Sequence, residues 1–253
     1  FVAKWDVDEI ILLDISASSQ KRTLDLKLLE VLSKSCFVPL TVGGGIRDVE
    51  DVRKLIRAGA DKVSINSSAI DNPKLITEIA DIFGSQCAVV SIDCKLDDDG
   101  IYRVYRNSGL EETKLIATEW AKEVEMYGAG EIFLNSIDKD GSKTGYDVSL
   151  VKEITDAVSI PVIACGGVGD FSHFAPGITE GKASAVAAGN IFHYIEHSTI
   201  VAKMNLLQSN IDIRMDSEAT YEGRQFDENG RLMMMSGKDL ASIEFKKGTK
   251  DII

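Results

Sequence analysis

One carboxylate, two glycine clusters and two asparagines are the groups in this chain whose types and spacing could do chemistry. Asp93 closes the apolar run CAVVSID and is followed by Cys94 and Lys95. An acid at the tip of a buried strand is costly unless it is paired, caps loop amides or moves protons. Gly43, Gly44 and Gly45 follow the run VPLTV and precede a helical stretch opened by Asp48, and Gly166 and Gly167 follow IPVIAC in the same manner. Glycines at such points let backbone amides approach an anion closely, although they also serve simply as tight turns. Asn66 and Ser67 end the next apolar run after the first cluster, and Gly189 and Asn190 end the next run after the second. Each pairing is a candidate phosphate site. Neither has the G-x-G-x-x-G spacing of a dinucleotide fold.

The two sites belong to one phrase written twice. Residues 38–66 and 161–190 both read as a β-branched run, a glycine cluster, a helical stretch and a second apolar run closing on Asn. Asp14 and Asp138, Gly43 and Gly166, and Asn66 and Asn190 are separated by 124, 123 and 124 residues. So long a period implies two halves of one closed architecture rather than a solenoid. Two anion sites related in this way suit a ligand with a phosphate at each end.

The elements that must position these groups are legible in the apolar runs at 9–16, 38–44, 62–66, 87–93, 131–138, 161–167 and 183–190. All are too short for buried helices, nearly continuous in Val, Ile, Leu and Ala, and most precede a helical segment. Asn72-Pro73 opens one helix that Gly84 closes, and Gly59 and Gly128 stop two others. The unusual chemistry collects in the loops after the strands, where parallel β/α folds bind ligands. The expected fold is therefore α/β, a (β/α)8 TIM barrel of two duplicated half-barrels over residues 1–212, with a C-terminal extension of unknown role over 213–253. Seven runs leave one β-α unit unmatched, expected ahead of Phe1. The offset partner of Asp93 falls there too, so a second catalytic acid would lie outside this chain. Without that unit, runs 9–16 and 183–190 would be open sheet edges.

With 253 residues and 44% hydrophobic content, the chain can bury one large core. A net charge of −12 argues against a nucleic-acid or anionic-membrane partner, while leaving small phosphorylated ligands open. The four cysteines form no C-x-x-C pair and no apolar run reaches membrane-spanning length, which points to a reduced cytoplasmic protein. His193, Glu196 and His197 spell H-x-x-E-H, but after the last strand of a phosphate barrel a helix entry with solvated histidines suffices, and no metal site is expected. Asp97-Asp98-Asp99 reads as a solvated turn and Lys4-Trp5 as a helix end packing beside the first strand. The trio Met233, Met234 and Met235 makes no helical stripe.

Residues 6–212 resemble the cyclase subunit of imidazole glycerol phosphate synthase, a member of the histidine-biosynthesis barrels. The resemblance is carried by DEIILLDIS at 8–16, TVGGGIR at 41–47, GADKVSIN at 59–66, FGSQCAVVSIDCK at 83–95, GAGEIFLNSIDKDGSKTGYD at 128–147 and IPVIACGGVG at 160–169. It implies a glutaminase partner supplying ammonia at the strand N-terminal face. The ammonia reaches a bisphosphorylated formimino aminoimidazole carboxamide ribotide on top, which is cleaved and cyclised to imidazole glycerol phosphate and aminoimidazole carboxamide ribotide. No cofactor is implied. Carried over by residue, Asp93 matches a catalytic aspartate. Gly44, Gly45, Asn66 and Ser67 would hold one phosphate, and Asp140, Gly141, Gly166, Gly167, Gly189 and Asn190 the other. Glu9, Lys62 and Glu131 match a charged ring gating ammonia entry, although charges at the bottom of a barrel can also be solvated strand ends. Asn135 and Cys165 stand where the family commonly has Thr and Ser. They look more like a paralogous branch that pairs with a glutaminase and a sugar amidotransferase to install amidino groups on bacterial surface glycans. The isomerase that supplies the cyclase's substrate, which shares the duplicated barrel, and a non-catalytic ammonia-channelling barrel are the remaining alternatives.

Overall fold

A computed structural model describes residues 6–17, 20, 22–193, 198–215 and 225–233. Glu196, His197, Met234, Met235 and the Lys4-Trp5 pair lie outside the described residues.

Seven parallel strands run in the order β1 (Ile10–Leu13), β2 (Leu40–Gly43), β3 (Lys62–Ile65), β4 (Ala88–Leu96), β7 (Glu131–Ser136), β8 (Val162–Cys165) and β9 (Ala185–Val186). Helices α1 (Leu26–Ser33), α2 (Val49–Arg57), α3 (Ser67–Asp71), α4 (Lys74–Phe83), α5 (Ala117–Met126), α6 (Val148–Ala157), α7 (Phe174–Thr179) and α8 (Ser198–Gln208) fill the connections or follow the last strand. The expected alternation and parallel pairing are borne out. Among the described residues, β1 and β9 each pair on one side only, so both sheet edges are open.

Period-2 geometry divides each strand between two cores. Val42, Val63, Ile65, Val90, Ile92, Ile132 and Leu134 pack against the helices, whereas Val89, Phe133 and Ile163 form a second cluster with Ile11, Cys165 and Ala187. Ile11 belongs to the first strand and Ala187 follows the last, so their sharing one cluster means that the sheet curls around an apolar lumen. The curl is fastened outside the sheet: buried Lys203 of α8 reaches Asp8, just ahead of β1, at 2.9 Å.

Helix boundaries follow local chemistry. Asp48 caps α2 by accepting from the Asp51 amide, and Asp147 caps α6 by accepting from Leu150. Gly84 ends α4 at φ +91° with its amide on the Ala80 carbonyl. Asn72 contributes its carbonyl to the Leu75 amide rather than a side-chain cap, so α4 begins behind Pro73.

The β4–α5 connection differs from a plain loop. Strands β5 (Tyr102–Arg106) and β6 (Glu111–Ile116) form an antiparallel hairpin that extends β4. Tyr102 and Val104 are buried while Arg103 and Tyr105 are only partly covered, the alternation of a one-faced ribbon. Asn107 and Ser108 turn it with φ of +53° and +57°. Within the C-terminal extension, residues 225–233 form a turn bridged between Phe226 and Leu232, and the Asn229 carbonyl accepts from the amides of Phe171 and Ser172.

Candidate functional site

The strand order sets the site's plan. The first candidate anion cluster sits at the ends of β2 and β3, the second at the ends of β7, β8 and β9, and Asp93 stands on β4 between them.

Asp93 faces the lumen side, alternating with the helix-packed Ile92 and Cys94. Register places it beside Asn135 of β7. Asn66 Nδ2 donates to Asp93 Oδ2 at 2.9 Å, and Asn135 Nδ2 donates to Oδ1 at 3.4 Å. Burial pushes the carboxyl up to about 6; the two amide hydrogen bonds oppose this and the Asp140 charge adds to it. A carboxyl so placed changes protonation near neutrality, as general acid/base work requires. Cys165 lies on the next strand, its thiol raised to about 12 by burial and the nearby acids, so it is a neutral side chain here.

At the first cluster, Gly44 and Gly45 adopt φ of +112° and +68°. A Cβ on Gly44 would fall 2.4 Å from the Asp14 carbonyl oxygen, and one on Gly45 1.8 Å from that of Arg22. The bend thus requires glycine for backbone packing whatever it binds. Asn66 begins α3 with its side chain committed to Asp93, and Ser67 Oγ accepts from the Asn107 amide at 3.0 Å. The hairpin tip therefore lies over Ser67, and Ser108 Oγ reaches the Ile15 carbonyl at 3.2 Å. Arg106 ties the same tip to Asp71 of α3 and to Glu111. In the sequence these hairpin residues are marked only by the alternation in YRVYR and the turn residues Asn107-Ser108-Gly109.

At the second cluster, Gly166 and Gly167 have φ of +94° and +103°, and a Cβ on Gly167 would meet the Gly145 carbonyl oxygen at 2.1 Å. Gly141 and Gly189 border open space, with nothing within 4 Å of an added Cβ. Asn190 opens a short turn and is exposed, as is Asp140. Asp14 and Asp138 are held by the scaffold: Arg22 and Ser16 hydrogen bonds keep the Asp14 carboxyl below its ordinary range, and Asp138 accepts from the Leu96 amide.

At the opposite end of the lumen, Lys62 Nζ bridges Glu9 Oε2 at 2.9 Å and Glu131 Oε1 at 2.6 Å. Residues 9, 62 and 131, far apart in sequence, thus form one ion cluster at the strand starts. Burial pulls the Lys62 ammonium down, but its bonds to Glu131 and Glu9 outweigh this and hold it above the usual lysine value. Among the described residues, no group of three or more His, Cys, Asp or Glu is arranged to hold a metal, and no helix is long and apolar enough to cross a membrane.

A curled parallel sheet with alternating helices is the architecture of a TIM-type α/β fold. A family model described as histidine biosynthesis protein matches residues 2–198, and the chain belongs to that family. It is also 47% identical over 231 residues to a Vibrio vulnificus (strain YJ016) protein that carries the provisional name imidazole glycerol phosphate synthase subunit hisF2; the match covers 91% of this chain and 85% of the relative. The resemblance read from the motifs is borne out.

Proposed function

We propose that the chain acts as the ammonia-using cyclase subunit of an imidazole glycerol phosphate synthase. It would convert a bisphosphorylated formimino aminoimidazole carboxamide ribotide to imidazole glycerol phosphate and aminoimidazole carboxamide ribotide. The observation that carries this reading is Asp93: a half-buried carboxyl in the body of β4, which runs on to Leu96, raised to about 6 and flanked on the strand order by two glycine-lined clusters. Nitrogen attack on a carbonyl and cleavage of a C–N bond each need protons added and removed near neutral pH, which suits such a group. Gly45 and Ser67 grip one phosphate, with Asn66 turned to Asp93 instead, and Asp140, Gly141, Gly167, Gly189 and Asn190 surround the other. Gly141 and Gly189 are the positions where an anion can come closest, because nothing covers them.

Ammonia enters at the Glu9–Lys62–Glu131 cluster, docked against a glutaminase subunit, and crosses the lumen lined by Val89, Phe133 and Ile163. A second reading, amidino modification of surface glycans with a glutaminase and a sugar amidotransferase, is favoured by Asn135 at the Asp93 carboxylate.

The test is turnover of the bisphosphorylated ribotide by the protein with ammonium salts, and by Asp93→Asn, with both products followed by mass spectrometry. The reading requires wild-type turnover and its loss in the variant. An inert wild type that still binds a glutaminase points instead to an ammonia-channelling barrel.

A further inference from the structure

We propose that Asn135 is a positioning residue for Asp93, holding its carboxylate jointly with Asn66, one side-chain amide on each oxygen. This rests on the reading of Asp93 as the group that moves protons. The two donors come from opposite neighbours, Asn66 from the end of β3 and Asn135 from β7, so they fix the carboxylate plane from both sides. Asn135 is itself held in place. A Cβ on Gly166 would fall 2.9 Å from Asn135 Oδ1, so the glycine leaves room for the amide carbonyl and the amino group turns toward Asp93. With one amide on each oxygen, the carboxylate retains free lone pairs directed at the site and loses the rotation that would swap them.

The amides also decide protonation. The groups facing Asp93 are Asn66 from β3, Asn135 from β7, Cys165 from β8, its register partner Tyr105 on β5, and Asp140 in the loop after β7, while the adjoining Cys94 points to the helix side. Asp140 and burial both disfavour the anion, and the thiols are held neutral. The two amides are the stabilising contacts to the anion, so removing either leaves Asp93 protonated further into the range where it must accept a proton. A hydroxyl side chain at position 135 is shorter than the carboxamide that spans this gap, which makes Asn a distinguishing choice at this strand end.

The experiment is a 13C NMR titration of the protein labelled at aspartate Cγ, with the Asp93 resonance assigned by its loss in Asp93→Asn. Asn135→Ala should move the midpoint upward by about one pH unit, a tenfold change in ionisation constant, and Asn135→Ser should move it in the same direction. The acid limb of kcat/KM with ammonium salts should move by a matching amount, with KM little changed. A midpoint within about 0.2 of wild type in either folded variant, judged against that tenfold scale, overturns the proposal. The two readings fail separately: an inert wild type with a moved midpoint sinks the cyclase assignment alone, and an active protein with an unmoved midpoint sinks the clamp alone.

Discussion

Replacing Asp93 by Asn should cost the protein its activity and make it more stable, and only above a particular pH. The native carboxyl is raised from 3.8 to about 6, so the folded state binds the proton more tightly than the unfolded chain. Ionising it therefore destabilises the native state. The penalty is absent below 3.8, develops as pH climbs toward about 6, and is complete above that value. Its full size is roughly 3 kcal/mol, at 1.36 kcal/mol per pH unit. Asparagine escapes the penalty but presents an amino group to the Asn66 or Asn135 donor, an orphaned contact worth about 1 kcal/mol. The net gain near pH 8 is then about 2 kcal/mol, or roughly 4 to 8 °C in Tm for a chain of this size. Urea unfolding followed by circular dichroism at pH 8 and pH 4 measures both arms. A variant no more stable than wild type at pH 8, or equally stabilised at both pH values, would refute the idea that burial raises this carboxyl.

Further outcomes follow from the same geometry. Lys62→Met leaves Glu9 and Glu131 facing each other and should cost about 2 kcal/mol, discounted because Glu9 is 40% exposed. Because the Lys62 value is raised, its contribution is full at neutral pH and fades as pH climbs beyond 10.5, so variant and wild type should converge there in thermal unfolding. The same variant should lower glutamine-driven turnover with a glutaminase more than turnover with ammonium salts. Gly45→Ala should destabilise by about 2 kcal/mol or more, since its Cβ collides with the Arg22 carbonyl oxygen at positive φ. Gly189→Ala should stay within about 0.5 kcal/mol of wild type yet weaken phosphate binding in calorimetry. Iodoacetamide at pH 8 should modify Cys36 ahead of the other thiols, because burial holds Cys87, Cys94 and Cys165 above their ordinary range; rapid labelling of Cys165 would contradict its enclosed setting.

How far the sequence alone could reach depended on the range of the interactions involved. Continuous apolar runs such as CAVVSID specify a strand covered on both faces, and the glycine stops after α2, α4 and α5 were readable because a left-handed cap has a local signature. The hairpin at 102–116 was not read: its covered face rests on only a few residues, and Asp97-Asp98-Asp99 before it resembles the start of a loop. Asp93 stood out as an isolated acid at a strand end. Its clamp did not, because the pairing with Asn135 depends on the register between β4 and β7, 42 residues apart, which no local pattern encodes. For the same reason Asn66 looked free for a phosphate, whereas its amino group is already engaged.

A crystal soaked in inorganic phosphate tests most directly whether two anion sites stand astride one proton-moving acid. Density for two anions is expected, one beside Gly45 and Ser67 and one among Gly141, Gly167 and Gly189. A single bound anion, or none at either glycine bend, would contradict that arrangement.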